Sequence, residues 1–101
     1  MGYRIAVIGG TGKEGKGLAY RWALAGHEVV IGSRQIEKAQ TAADEVNHLL
    51  GKIKHPVTGL ENSQAADWGE IITLTVPFAA HVAMLEYLKD IVKGKIFIDV
   101  T

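Results

Sequence analysis

Short apolar runs alternate with segments of helical periodicity along the whole chain. There are five such apolar runs, and all except the third are rich in β-branched residues, which favour strands. The pattern predicts five strands, at Tyr3–Ile8, His27–Gly32, a short one near Pro56–Gly59, Ile71–Val76 and Lys95–Val100. Regular alternation of strands and helices is typical of βαβ units and of a parallel sheet.

The segments between the strands repeat their apolar residues at the spacing of one helix face. Within Lys16–Leu24, the predicted buried stripe is Leu18, Ala19, Trp22 and Ala23. Within residues 35–50, it is Ile36, Ala39, Ala43, Val46 and Leu50. In the last helix, it is Phe78, Val82, Leu85, Leu88 and Ile91. The segment Asn62-Ser63-Gln64-Ala65-Ala66-Asp67 is typical of a short capped helix. Gly26, Gly51 and Gly94 are predicted to end the three longer helices.

A glycine-rich loop joins the first strand to the first helix. Gly10-Thr11-Gly12-Lys13-Glu14-Gly15 fits the pattern G-x-G-x-x-G, which binds the pyrophosphate of a dinucleotide with backbone N–H groups at a helix N-terminus. We assign Gly10 to the tight turn, Gly12 to the approach of the phosphate, and Gly15 to close packing of the helix on the strand. An ordinary strand-to-helix turn is the alternative interpretation, and the flanking strand and helix favour the nucleotide site.

These elements together predict a Rossmann-type α/β fold. Right-handed crossovers place the two long helices on one face of the sheet and the later two on the other. The result is a three-layer fold with a five-stranded parallel sheet of strand order 3-2-1-4-5.

Composition narrows the classes of function. The chain has 101 residues, 48% of them hydrophobic and 22% charged, which predicts a single small globular domain. Its 11 basic and 11 acidic residues cancel, so no electrostatic attraction to nucleic acid or to an anionic membrane surface is expected. There is no cysteine, the four histidines lack metal-site spacing, and no apolar run is long enough to span a bilayer. We therefore expect no metal, no membrane partner, and a cytoplasmic location.

The end of the second strand selects the dinucleotide. NAD sites usually place Asp or Glu there to accept a hydrogen bond from the ribose 2′-hydroxyl, whereas this chain has Ser33 and Arg34. Both can bind a 2′-phosphate, so the sequence predicts NADP, with Thr11 as a third donor. In the alternative interpretation, Ser33 caps the next helix and Arg34 is a solvated surface charge.

Several other side chains are candidates for the cofactor site. Val76, Pro77 and Phe78 follow the fourth strand and are predicted to line the nicotinamide end, with His81 one turn later. Pro77 also suits the first position of a helix. Lys13 and Lys16 are candidates for phosphate contacts, with solvated lysines as the equal alternative.

The residues Ile8-Gly9-Gly10-Thr11-Gly12, Gly32-Ser33-Arg34, Thr75-Val76-Pro77 and Ile98-Asp99-Val100-Thr101 give the chain a family resemblance. It resembles the N-terminal domain of the NADP-dependent oxidoreductases that use the deazaflavin coenzyme F(420). The resemblance implies NADP binding through Gly10, Thr11, Gly12, Ser33 and Arg34, and hydride transfer between NADPH and the deazaflavin without a catalytic acid or base.

Members of that family continue into a second, largely helical region that helps bind the deazaflavin and forms a homodimer. The resemblance therefore implies that residues 1–101 are an NADP-binding domain without that region. Two other functions stay open: a non-catalytic NADP-sensing module, and an NADPH-dependent ferric or flavin reductase domain. An atypical short-chain reductase is a weaker third, since no Tyr-x-x-x-Lys pair is present.

Overall fold

The computed structural model describes residues 2–75 and 81–100, and only the backbone of His81, Val82 and Leu85. Its strands are β1 (Arg4–Ile8), β2 (Glu28–Ser33), β3 (Thr58–Glu61), β4 (Ile71–Leu74) and β5 (Ile96–Asp99). Its helices are α1 (Lys13–Leu24), α2 (Ile36–Leu50), α3 (Asn62–Trp68) and α4 (His81–Leu88). None of the helices in these ranges is long and apolar enough to cross a membrane.

The sheet is parallel, with the order β3-β2-β1-β4-β5. This is the predicted Rossmann-type topology. Because successive side chains of a strand point to opposite faces, β1 contributes Ile5 and Val7 to one core cluster and Ala6 and Ile8 to the other. Helices cover both faces, which explains why the central strands are apolar throughout.

The two core clusters confirm the predicted placement of the helices. Ala19 and Ala23 of α1 and Ala43 and Val46 of α2 belong to one cluster, whereas α3 and α4 contribute to the cluster on the opposite face. Trp22 packs against the first cluster and remains partly exposed, so it lies at the margin of the core. Small alanine side chains let both helices lie close to the sheet.

Several predicted boundaries need correction. Strand β4 ends at Leu74, before Thr75, and is shorter than predicted. Helix α1 begins at Lys13 rather than Lys16, because the loop ends at Gly12 and Gly15 is already part of the first turn. Helix α4 ends at Leu88, where the Leu88 carbonyl accepts hydrogen bonds from the N–H groups of residues 91 and 92. Gly94, at φ +82°, therefore lies in the turn before β5 and does not end the helix. Strand β3 begins at Thr58, two residues later than predicted.

Gly26 and Gly51 do follow α1 and α2 in the left-handed region, at φ +102° and +70°, as predicted. Val76 and Phe78, assigned above to the fourth strand and the last helix, lie outside the described residues.

Candidate functional site

The glycine loop connects the carboxyl end of β1 to the start of α1 at the middle of the sheet. Gly9 has φ +69° and is the left-handed residue of the turn, and Gly10, which the motif assigns to the tight turn, follows it. Gly10 is needed for a different reason: a Cβ there would lie 2.8 Å from the Val7 carbonyl oxygen and 2.8 Å from its Cγ1. The Gly10 N–H donates to the Gly32 carbonyl at 3.1 Å, which ties the loop to β2.

The other two glycines of the motif differ in their surroundings. A Cβ at Gly12, the N-cap of α1, would meet no atom within 4 Å, so this side of the loop is open. A Cβ at Gly15 would lie 2.5 Å from the Gly10 Cα, so Gly15 lets the first turn of α1 pack directly on the loop. The close packing predicted for Gly15 is present, although its partner is the loop rather than the strand.

The start of α1 offers hydrogen-bond donors to a ligand. The Lys16 N–H is bonded to the Gly12 carbonyl, and the N–H groups that precede it in a helix have no intrahelical acceptor. They also lie at the positive end of the helix dipole, which favours an anion. Glu14 is an exposed residue of this first turn. Its backbone N–H can donate to an anion, whereas its carboxylate would repel one.

Ser33 and Arg34 lie next to this loop, at the carboxyl end of β2. Ser33 is 8% exposed, and its Oγ accepts a hydrogen bond from the Gln35 N–H at 3.2 Å. The N-cap of α2 is Gln35, so the alternative interpretation of Ser33 as the helix cap is wrong. The Ser33 hydroxyl keeps its own proton for donation.

Arg34 is exposed, and no ion-pair partner for its guanidinium lies within 4 Å among residues 2–75 and 81–100. A planar guanidinium without an ion-pair partner among these residues, beside a hydroxyl that can still donate its proton, suits an oxyanion.

A cavity of about 170 Å³ brings these parts together. Its walls include Gly9, Thr11, Ser33, Arg34, Lys38 and Asn62. Lys38 is in the first turn of α2, where its N–H donates to the Gln35 carbonyl at 3.1 Å. The described residues that line the cavity include two cationic residues, Arg34 and Lys38, and two hydroxyl residues, Thr11 and Ser33, and none of them is acidic.

Lys38 and Asn62 were missed as site residues by the sequence analysis. Lys38 had a local signal, because it follows Arg34 by one helical turn at the start of α2. Asn62 had none beyond its place at the start of α3, and its approach to the loop comes from the tertiary fold.

The two lysines of the glycine segment lie elsewhere. Lys16 Nζ forms an ion pair with the Glu45 carboxylate of α2 at 2.6 Å. Lys13 is exposed and lines a separate depression of about 510 Å³ between α1 and α2, together with Lys16 and Tyr20. The structure therefore does not bring Lys13 to the cavity that contains Arg34.

The residues predicted to line the nicotinamide end follow β4. Val76, Pro77, Phe78 and the side chain of His81 lie outside the described residues. Just before them, Thr75 donates from both its N–H and its Oγ1 to the Ile8 carbonyl, at 3.1 and 3.0 Å. The carboxyl ends of β4 and β1 are therefore held side by side, where ligands of this fold bind.

No group of three or more His, Asp or Glu side chains in the described ranges is placed to hold a metal ion.

Comparisons with known proteins identify the family. The family described as NADP oxidoreductase, coenzyme F(420)-dependent, matches residues 4–101. A relative from Methanothermobacter marburgensis, named F(420)-dependent NADP reductase, is 49% identical over 98 residues, which are 97% of this chain and 44% of the relative. The chain thus spans less than half the length of the curated relatives it matches.

Solved structures agree with this family and with the fold. A putative F(420)-dependent NADP-reductase from Arthrobacter sp. FB24 is 29% identical with a TM-score of 0.78, over 98% of this chain and 44% of that one. A lactate dehydrogenase from Cryptosporidium parvum superposes with a TM-score of 0.80 over 100% of this chain and 35% of that one. At 21% identity, this second likeness supports the fold alone.

Proposed function

The chain belongs to the coenzyme F(420)-dependent NADP oxidoreductase family, and we propose that it is the NADP(H)-binding domain of an enzyme that transfers hydride between NADPH and a deazaflavin. The domain comprises residues 1–101 in this proposal. The names of the relatives supply the deazaflavin, and the geometry of the loop and of β2 supports the dinucleotide.

The cavity at the end of β2 is the observation that carries the proposal. Ser33, Arg34, Thr11 and Lys38 surround it, and no acidic residue is among the described residues of its wall. An Asp or Glu at this position would accept from the 2′-hydroxyl of NAD and would repel a 2′-phosphate. Two cations and two hydroxyls instead match the charge and hydrogen-bonding needs of the 2′-phosphate of NADP.

The glycine loop fits the pyrophosphate of the same cofactor. Gly12 leaves open space where a side chain would block the approach of a phosphate, and Gly15 lets α1 pack closely on Gly10. In this assignment the N–H groups of residues 12–15 donate to the phosphate oxygens at the positive end of α1.

The nicotinamide supplies the hydride when the cofactor is bound. The protein's part is to hold the dinucleotide across the carboxyl ends of the strands and to orient its ring. We assign the ring's surroundings to Val76, Pro77, Phe78 and His81, because Thr75 anchors the preceding end of β4 beside β1. A cytoplasmic location and a homodimer remain predictions.

A titration of the chain with NADPH and NADH tests cofactor choice. A charge-assisted hydrogen bond contributes about 1.5 to 3 kcal/mol, so we expect NADPH to bind about 10- to 100-fold more tightly. Equal affinity for the two cofactors would refute the assignment of the 2′-phosphate to Ser33 and Arg34.

The hydride acceptor is tested by following NADPH oxidation by the enzyme of which this chain is the proposed domain, with the deazaflavin, a flavin and a ferric chelate as acceptors. The proposal predicts turnover with the deazaflavin in preference to the other two. Faster turnover with the chelate or the flavin would favour a ferric or flavin reductase domain. Tight NADPH binding without turnover with any acceptor would favour the NADP-sensing module.

A further inference from the structure

The side chain of Asn62 holds the turn that precedes the phosphate-binding amides. Asn62 is the first residue of α3 and is 3% exposed. Its Oδ1 accepts a hydrogen bond from the Gly9 N–H at 3.2 Å, across a separation of 53 residues. Gly9 is the left-handed residue of the loop, so this bond is made at the position where the chain changes direction.

A second contact fixes the Asn62 carboxamide against β2. A Cβ at Gly32 would lie 2.7 Å from Asn62 Oδ1, so the carboxamide occupies the space that Gly32 leaves free. The Gly32 carbonyl accepts the next amide of the loop, the Gly10 N–H, at 3.1 Å. Two consecutive N–H groups of the turn are thereby bound to acceptors on α3 and β2.

We infer that Asn62 is a positioning residue for dinucleotide binding. By binding the Gly9 N–H, it sets the path of the loop so that the amides of residues 12–15 are directed at the pyrophosphate. Without this acceptor, the Gly9 N–H would be buried without a partner or would turn toward solvent, and the loop would move with it. The inference rests on the proposed function for its ligand, whereas the Gly9 contact itself concerns the free protein.

The inference predicts a distinctive pattern of affinities. NADPH and NADH share the pyrophosphate, so replacing Asn62 weakens both by the same factor. Asn62 lines the cavity of Ser33 and Arg34, but its Oδ1 accepts from the Gly9 N–H, so the ratio between the two affinities, which Ser33 and Arg34 set, stays as in the unaltered protein. A change at Arg34 has the opposite signature, because it affects NADPH alone.

The test compares Asn62→Leu with Asn47→Leu. Asn47 offers a matched control, because its carboxamide also binds backbone, to the Val57 N–H and carbonyl at 2.7 Å each, and does so far from the loop. We expect Asn62→Leu to weaken NADPH and NADH about 10-fold each, and Asn47→Leu to leave both affinities of the folded protein unchanged. Equal losses in both variants, or no loss in Asn62→Leu, would overturn the inference.

Amide hydrogen exchange of the free protein supplies a readout without ligand. The Gly9 N–H is expected to be protected in the unaltered protein and in Asn62→Asp, which keeps an acceptor, and to exchange faster in Asn62→Leu. Unchanged exchange in Asn62→Leu would overturn the inference while leaving the proposed function intact. If the unaltered protein bound neither dinucleotide, the proposed function and the inference would fall together.

Gly32→Ala provides a second variant if Asn62→Leu does not fold. The added methyl would displace the carboxamide from its place beside β2. It is expected to weaken both dinucleotides equally and to speed exchange at Gly9. A selective loss of NADPH in this variant would contradict the inference.

Discussion

Individual glycines of the glycine loop have different structural roles. Gly9 supplies a left-handed turn, Gly10 and Gly15 allow two segments of backbone to touch, and Gly12 leaves space for a ligand. Gly17 lies two residues further along α1, and a Cβ there would meet no atom within 4 Å. Its small size is therefore not required by a neighbouring contact.

This difference makes Gly15→Ala and Gly17→Ala a matched pair. The Cβ at position 15 would lie 2.5 Å from the Gly10 Cα and 2.8 Å from the Gly10 oxygen, so α1 must move away from the loop. We expect the free energy of unfolding to fall by about 1 to 3 kcal/mol and dinucleotide affinity to fall with it.

Gly17→Ala is expected to stabilise the protein by about 0.5 to 1 kcal/mol, because alanine is the better helix former. Urea unfolding of the two variants measures both effects. Equal stability of the two would show that the contact between Gly15 and Gly10 is not tight.

The sequence could predict this site only in part at the residue scale. The motif located the loop, and the Gly-Ser-Arg step located the end of β2, since both signals are local. The motif assigns Gly10 to the tight turn but does not identify Gly9 as the left-handed residue, because spacing does not reveal which residue has a positive φ. Asn62 approaches Gly9 through a contact between residues 53 positions apart, which no local pattern encodes.

At the scale of elements, β3 is the strand that the sequence signalled least clearly. Gly59, near its centre, lies directly beneath α2: a Cβ there would come within 2.4 Å of the Ala39 carbonyl carbon. The close approach of α2 therefore excludes the β-branched side chain that would have marked this position as a strand. Hydrogen bonds from Asn47 to Val57 hold α2 and the start of β3 together instead.

Gly59→Ala tests whether α2 and β3 are held at this distance by packing. We expect a loss of about 1 to 3 kcal/mol in the free energy of unfolding, since the added methyl meets backbone that cannot give way locally. Thr58→Ala, at the exposed neighbouring residue, is the control and is expected to cost less than about 1 kcal/mol. A loss no larger in Gly59→Ala than in the control would contradict the tight contact.

For β3 the sequence signal was too weak, whereas for the end of α4 the apolar pattern was too long. Apolar residues continue at helical spacing to Ile91, so the pattern predicts a helix that runs to Gly94. The helix ends at Leu88, and the N–H groups of residues 91 and 92 donate hydrogen bonds to the Leu88 carbonyl in the turn that follows. Ile91 still packs against the core cluster from that turn, which explains why the apolar stripe extends beyond the helix.

The whole molecule follows the predicted topology because few arrangements satisfy its constraints. Apolar strands separated by helices favour a parallel sheet covered on both faces. Right-handed crossovers, with α1 and α2 on one face and α3 and α4 on the other, give the order 3-2-1-4-5. This order brings the ends of β1, β2 and β4 together, where the loop, Arg34 and Thr75 lie.

The formal net charge of the chain is zero, so attraction of an anionic cofactor depends on the local group of Arg34 and Lys38. Those residues form the half of the proposed site that would hold the adenosine ribose. This half can be tested with small ligands that lack the nicotinamide.

The most direct measurement of the central claim compares adenosine 2′,5′-bisphosphate with 5′-AMP as ligands. Calorimetric titration is expected to show the bisphosphate binding about 10-fold or more tightly. Arg34→Ala should remove most of this preference, and Arg21→Ala, at an exposed arginine of α1 away from the cavity, should retain it. Equal affinity of the unaltered chain for the two ligands would contradict the claim that this is an NADP site.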